Sequence, residues 1–211
     1  MDKTLLSTYF IMGSNNVSRP PLEVLEEALI GGITLFQLRE KGENALTGDA
    51  YVEFAKQCQS LCQKYKVPFI VNDDFDLAVQ LDADGVHVGQ SDLNATVIRP
   101  QFKGKILGVS VHNLEEMQNA IQAGVDYVGI GPVYATSSKA DAIPPSGTKM
   151  IKEASQRFPA MPIVAIGGLQ AEHTAEVLQA GADGLSIISA IASAEDATAA
   201  TQSFVNAVKN I

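Results

Sequence analysis

A chain of 211 residues that is 46% hydrophobic can bury one large core, and its length is that of one α/β domain. Only 18% of residues are charged and the formal net charge is −9, which excludes nucleic acid or an anionic membrane as the default partner. The N-terminus has no signal-peptide pattern and no apolar run approaches the roughly 20 residues that span a bilayer, so the sequence predicts a soluble, cytoplasmic protein and leaves homo-oligomerisation open.

What recurs along the chain is a short apolar strand followed by an amphipathic helix. The first strand is Tyr9–Met12, and Pro20-Pro21 opens a helix carrying Leu22, Leu25, Glu26 and Leu29. Gly31-Gly32-Ile33 then turns the chain into a second strand, Thr34–Leu38. Gln37, Arg39 and Lys41 share one parity at its end, so an extended backbone points all three the same way. An arginine fork with a lysine point charge suits a phosphate; the alternative is a fraying strand end with solvated charges. Asp49 is the expected cap of the next helix, on which Cys58 and Cys62 share a face and read as packing residues.

The third strand, Phe69–Asn72, runs into Asp73-Asp74. The fourth, Gly85–Val88, is preceded by Asp82-Ala83-Asp84 and followed by Asp92. Asp73 and Asp92 should be neighbours if these strands pair. Each alone reads as a helix cap, but together, beside Arg39 and Lys41, they suit Mg2+, which takes one or two carboxylates plus phosphate oxygens. His87, inside its strand, reads as a core histidine or one supporting the site from behind.

The fifth strand, Ile106–Val111, places Ser110 and His112 on one parity, either as a nucleophilic pair or with Ser110 as a phosphate-binding hydroxyl. Asn113 caps a helix with Glu115 and Glu116 in its first turn and a stripe of Leu114, Met117 and Ile121. Ala123-Gly124-Val125-Asp126 leads to the sixth strand, Tyr127–Gly131. The long loop after it offers Thr136, Ser138 and Lys139. The seventh strand, Ile163–Ile166, ends in Gly167-Gly168. Ala180-Gly181-Ala182-Asp183 precedes the eighth, Gly184–Ile188, which Ser189 follows.

Eight strands without polar alternation, joined by helices, predict a parallel sheet covered on both faces. The expected fold is therefore α/β: one (β/α)8 TIM barrel spanning residues 1–211, with a doubly wound sheet as the structural alternative. A barrel's active site lies at the C-terminal strand ends, and there the sequence places two anion sites. Arg39, Lys41, Asp73 and Asp92 with Mg2+ suit a diphosphate. Gly168, Ser189 and the long-loop hydroxyls suit a monophosphate. Two such sites predict two phosphorylated substrates and group transfer.

The strings QLREKG, VNDDFDLAVQLDADGVHVGQSDL, GVSVH, DYVGIGPVYATSSK, PIVAIGG and ISAI run in order through nearly the whole chain and resemble the thiamine-phosphate synthase family. The resemblance implies a transferase that joins 4-amino-2-methyl-5-hydroxymethylpyrimidine diphosphate to a thiazole monophosphate. Diphosphate leaves first, in a dissociative step assisted by Mg2+. It implies that Gln37, Arg39, Lys41 and Asn72 bind the pyrimidine diphosphate, with Ser110 and Lys139 as further diphosphate contacts. Of these, Arg39, Lys41, Ser110 and Lys139 are the expected catalytic groups. Asp73 and Asp92 fall on Mg2+ ligands. Thr136, Ser138, Gly168, Ile188 and Ser189 fall on the thiazole-phosphate site. The chain departs from the family pattern at Ser138, at Thr148-Lys149 and at Asn113. Rival readings are a thiazole tautomerase-like isomerase, a non-catalytic phosphate-binding regulatory barrel and a Schiff-base aldolase. Against the first stands Pro132, where such an isomerase carries a histidine.

Overall fold

The computed structural model describes residues 1–92, 94–136 and 144–211. Eight parallel strands close into a barrel in sequence order: β1 Thr8–Met12, β2 Leu35–Leu38, β3 Phe69–Asn72, β4 Gly85–Val88, β5 Ile106–Val111, β6 Tyr127–Ile130, β7 Ile163–Ile166 and β8 Gly184–Ile187. The pairing of Thr8 with Leu185 closes the ring and rules out an open doubly wound sheet. The helices are α1 Pro21–Gly31, α2 Gly48–Tyr65, α3 Phe75–Gln80, α4 Ala95–Gln101, α5 Leu114–Gln122, α6 Lys149–Arg157, α7 Thr174–Gln179, α8 Ser189–Ala192 and α9 Ala197–Lys209. None of the described helices is long and apolar enough to cross a membrane.

Four predicted strands match to the residue, and the other four differ by one residue at one end. One helix cap is corrected. Thr47, with extended backbone, precedes the first residue of α2, so Asp49 lies inside the first turn, where its charge favours the N-terminal dipole without capping it. Asn113 does cap α5, accepting from the Glu116 N–H, and Asp74 caps α3, accepting from the Leu77 N–H at 2.9 Å.

Strand alternation sorts the side chains into two cores. Leu6, Tyr9, Ile11, Leu35, Ile70, Tyr127 and Val164 fill the inside of the barrel. Phe10, Phe36, Phe69, Val86, Leu107 and Val128 point outward and pack under the helices, with Cys58 and Cys62 buried among them as free thiols. Burial raises both thiols and keeps them protonated.

The near-repeat before the even-numbered strands has a shared physical cause. Asp84 accepts the Phe69 N–H, Asp126 the Leu107 N–H and Asp183 the Ile163 N–H, each at 2.8 Å. Thr34 does the same for Thr8 at 3.0 Å. The N–H of each of these four residues donates back to its partner's carbonyl. The N-terminal rim thus carries four reciprocal pairs, each satisfying backbone groups where a strand begins. Gly124 and Gly181 make the turns before two of them, with φ of 74° and 106°, a region a side chain resists.

Candidate active site

The C-terminal ends of β2, β3 and β4 converge. Lys41 lies against the Asp73 carboxylate and 3.9 Å from that of Asp92. Asn72 donates to Asp73 at 2.7 Å, and Asp92 accepts the Gly89 N–H at 2.9 Å. Asp73 has a left-handed backbone, φ 62°, and its own N–H is held by the His87 carbonyl at 2.8 Å. This sparsely populated conformation turns the carboxylate back toward its neighbours. Burial, and then the adjacent Asp73 carboxyl, push the Asp92 acid above its ordinary range, although Lys41 opposes the shift.

These residues fit Mg2+. The donors are hard carboxylate oxygens, and the pair already draws an ammonium group between its members. Among the described residues no third His, Cys, Asp or Glu completes a protein cage. Two carboxylates with room for substrate oxygens is the usual way this ion is held.

Beside the carboxylates a recess opens into the barrel, lined by Gln37, Arg39, Asn72, His87, Ser110 and the tip of Tyr9. Its floor is a hydrogen-bonded chain that crosses the barrel. Gln37 Nε2 donates to the Tyr9 hydroxyl, which meets the Tyr127 hydroxyl at 2.8 Å. Tyr127 meets His87 Nδ1 at 2.9 Å, and His87 Nε2 meets Ser110 Oγ at 2.9 Å. Gln37 is the donor at one end, and the Tyr9 oxygen accepts from it. The two ring nitrogens of His87 tie the Tyr127 hydroxyl to the Ser110 hydroxyl, which lines the recess. Complete burial raises both phenols, so neither ionises in the neutral range.

This chain corrects one expectation. Ser110 pairs with His87 on the adjacent strand, and His112 instead binds Glu116 at 3.0 Å beyond the end of β5. The sequence reading left out Tyr9 and Tyr127, which lie in apolar runs. The available signal was a tyrosine, with a hydroxyl to satisfy, at two inward positions on the parity of Gln37.

The second anion site is described in part. Tyr134 N–H donates to the Gly167 carbonyl at 3.0 Å, which lays the start of the loop after β6 on the glycine pair. Any side chain at Gly168 would stand 2.4 Å from the Ala135 carbonyl. Thr136 is therefore next to a segment packed against Gly168. The Tyr134 ring stacks on His173 with centroids 3.9 Å apart, and its hydroxyl donates to Glu176 at 2.7 Å. Partial burial and then that carboxylate push the phenol up to about 12. Ile188, half-buried, follows β8 and precedes α8, which the exposed Ser189 opens. Ser138 and Lys139 lie outside the described residues.

The profile of a family described as thiamine monophosphate synthase matches residues 8–191. Thiamine-phosphate synthase of Lysinibacillus sphaericus (strain C3-41) is 58% identical over 197 residues, 93% of this chain and 92% of the relative. Its counterpart in Bacillus mycoides (strain KBAB4) is 54% identical over 204 residues, 97% of this chain and 93% of the relative. The solved structure of a thiamine phosphate pyrophosphorylase from Pyrococcus furiosus superposes with a TM-score of 0.86 at 35% identity, covering 99% of this chain and 98% of that one.

Proposed function

The chain belongs to the thiamine monophosphate synthase family and is a transferase of thiamine biosynthesis acting on small molecules, and we propose that the mouth of its barrel transfers a pyrimidinylmethyl group from its diphosphate to a thiazole monophosphate. In this reading residues 1–211 work as one domain in the cytoplasm. Transfer is favoured over isomerisation because relatives at 54–58% identity are thiamine-phosphate synthases.

Gln37, Asn72 and Ser110 orient the pyrimidine diphosphate at the mouth of the recess. Arg39, Lys41 and Lys139 meet its phosphates. Asp73 and Asp92 would hold a Mg2+ ion, which when bound supplies positive charge to the diphosphate oxygens. Thr136, Ser138, Gly168, Ile188 and Ser189 receive the thiazole phosphate. The bond from the methylene carbon to the diphosphate oxygen breaks, and its electron pair leaves with diphosphate. The thiazole nitrogen then gives its lone pair to the methylene carbon, forming the new carbon–nitrogen bond. Arg39 and Lys41 lower the barrier because negative charge builds on the leaving group in the transition state, and fixed cations cost no reorganisation there. The Ser110 hydroxyl, held by His87 Nε2, faces the diphosphate from the recess.

The observation that carries this reading is Lys41 lying between Asp73 and Asp92 at the rim of a recess that also holds Arg39 and Asn72. The test is to incubate the protein with both precursors and Mg2+ and follow thiamine phosphate and diphosphate, omitting each component in turn. Equal amounts of the two products, abolished by any omission, are expected. Product formation that persists after Mg2+ is chelated overturns the metal assignment, and diphosphate release without thiamine phosphate overturns the transfer.

A further inference from the structure

Between Arg39 and Lys41 stands Glu40, which no step above uses. Alternation turns its side chain away from Arg39 and Lys41, toward the loop after β1. There its carboxylate accepts the Ser14 N–H at 2.8 Å, the Ser14 hydroxyl, and the Leu46 N–H at 2.7 Å. A second tie runs the other way, as Asn15 Nδ2 donates to the carbonyls of Lys41 and Glu43, both at 2.9 Å. The two loops also approach closely. The Arg39 N–H donates to the Met12 carbonyl at 3.0 Å, and a side chain at Gly13 would stand 2.3 Å from the Arg39 carbonyl.

A chain leaving a strand loses its ladder hydrogen bonds and is free to fray. Two long cations on such an end would have to be ordered anew each time an anion binds, at a cost in affinity. Here the Arg39 N–H and the Lys41 carbonyl, on either side of Glu40, are fixed before any ligand arrives. The charge of Glu40 cannot be its contribution, because a carboxylate next to both cations weakens their pull on an anion. Its contribution is geometric.

We infer that Glu40, seated on Ser14 with Asn15 closing the clamp, is a positioning residue for the diphosphate subsite: it aims Arg39 and Lys41 without touching the substrate. This rests on the proposed reading of Arg39 and Lys41. A charge-assisted contact of this kind corresponds to about a tenfold change in a binding constant. Glu40→Ala is therefore expected to raise KM for the pyrimidine diphosphate about tenfold and leave KM for the thiazole phosphate within about twofold. Glu40→Gln, which keeps one acceptor oxygen, should recover part of the loss. Asn15→Ala loosens the clamp from the other loop and should move the same constant in the same direction, which keeps the test alive if Glu40→Ala does not fold.

The deciding measurement is the Glu40→Ala, Lys41→Ala double variant. Because Glu40 acts in part through Lys41, the effect of Glu40→Ala should shrink in the Lys41→Ala background. Full multiplication of the two effects, or equal losses for both substrates, would leave Glu40 as a loop staple only and overturn the inference. A Lys41→Ala protein with unchanged KM for the diphosphate would instead remove the subsite reading, and the role of Glu40 with it.

Discussion

Aspartates stand at both ends of this barrel and keep different company. At the N-terminal rim Asp84, Asp126 and Asp183 each take a backbone N–H from the start of the preceding strand. Two of them are also neutralised, Asp126 by Arg99 and Asp183 by Lys3, both at 2.9 Å. A hollow of about 760 Å3 at that end has basic residues on its wall, yet Arg99 is held by Asp126 and two carbonyls, and Lys105 by Asp82. At the mouth Asp73 and Asp92 face each other across a single lysine, and the acid of Asp92 is shifted upward. Satisfied carboxylates cap the strand starts. Crowded ones are in a state the fold alone does not favour, and that is where a ligand has something to stabilise.

The sharpest way to break this division is Asp92→Ala. Turnover should fall on the order of 100-fold or more, since two to three kcal/mol of charge stabilisation corresponds to that factor. The melting temperature should barely move. Near-normal turnover at saturating Mg2+, measured as diphosphate release, refutes the assigned role.

Asp126→Ala is the mirror experiment. It strips an acceptor from both the Leu107 N–H and Arg99, and should cost about 2 kcal/mol. In a chain of this size the melting temperature should drop by about 4–8 °C, with kcat/KM unchanged. Urea titration and steady-state rates on one preparation check both halves. A rate loss without a stability loss would erase the contrast between the two ends.

How far this division was legible beforehand depended on what a single strand reveals. Apolar runs placed the strands because parallel strands buried on both faces have no polar alternation to confuse the count. Parity aimed Gln37 and Arg39 into the barrel because both follow an extended backbone. The same logic failed for His112, where β5 has ended and the first turn of α5 captures the side chain through Glu116. It also could not find the His87–Ser110 contact, which is made across two strands. Asp49 looked like a cap because residue type alone does not say where the helical backbone begins. Ser138 and Lys139 lie outside the described residues.

One position should belong to both ends of the comparison. Tyr127 sits at the centre of the chain from Gln37 to Ser110 and is fully buried. Tyr127→Phe keeps the ring and removes one hydrogen bond each from the Tyr9 hydroxyl and His87 Nδ1. A loss of about 1–2 kcal/mol in stability is expected, together with a kcat/KM reduced about fivefold through misaimed recess groups. If stability falls alone, the chain supports the barrel and not the site.

The smallest expected effect is the most discriminating. In the metal-free protein, burial and Asp73 raise the Asp92 acid, so the folded chain holds that proton more tightly than the unfolded chain does. The group therefore favours the folded state at pH values below its unfolded pKa of about 3.9, and that contribution is lost as pH rises through its higher folded value. At neutral pH the ionised Asp92 is a net cost. Asp92→Asn keeps an acceptor for the Gly89 N–H and removes the charge. Without Mg2+ it should be more stable than the parent at pH 7 by about 0.5 kcal/mol, a value kept small by solvent screening at the rim. That advantage should vanish toward pH 4, while activity at pH 7 is lost. Paired melting curves across that range read the difference directly. A variant less stable than the parent at pH 7 would mean that Asp92 is as satisfied as Asp126, and that the mouth is not strained toward a cation.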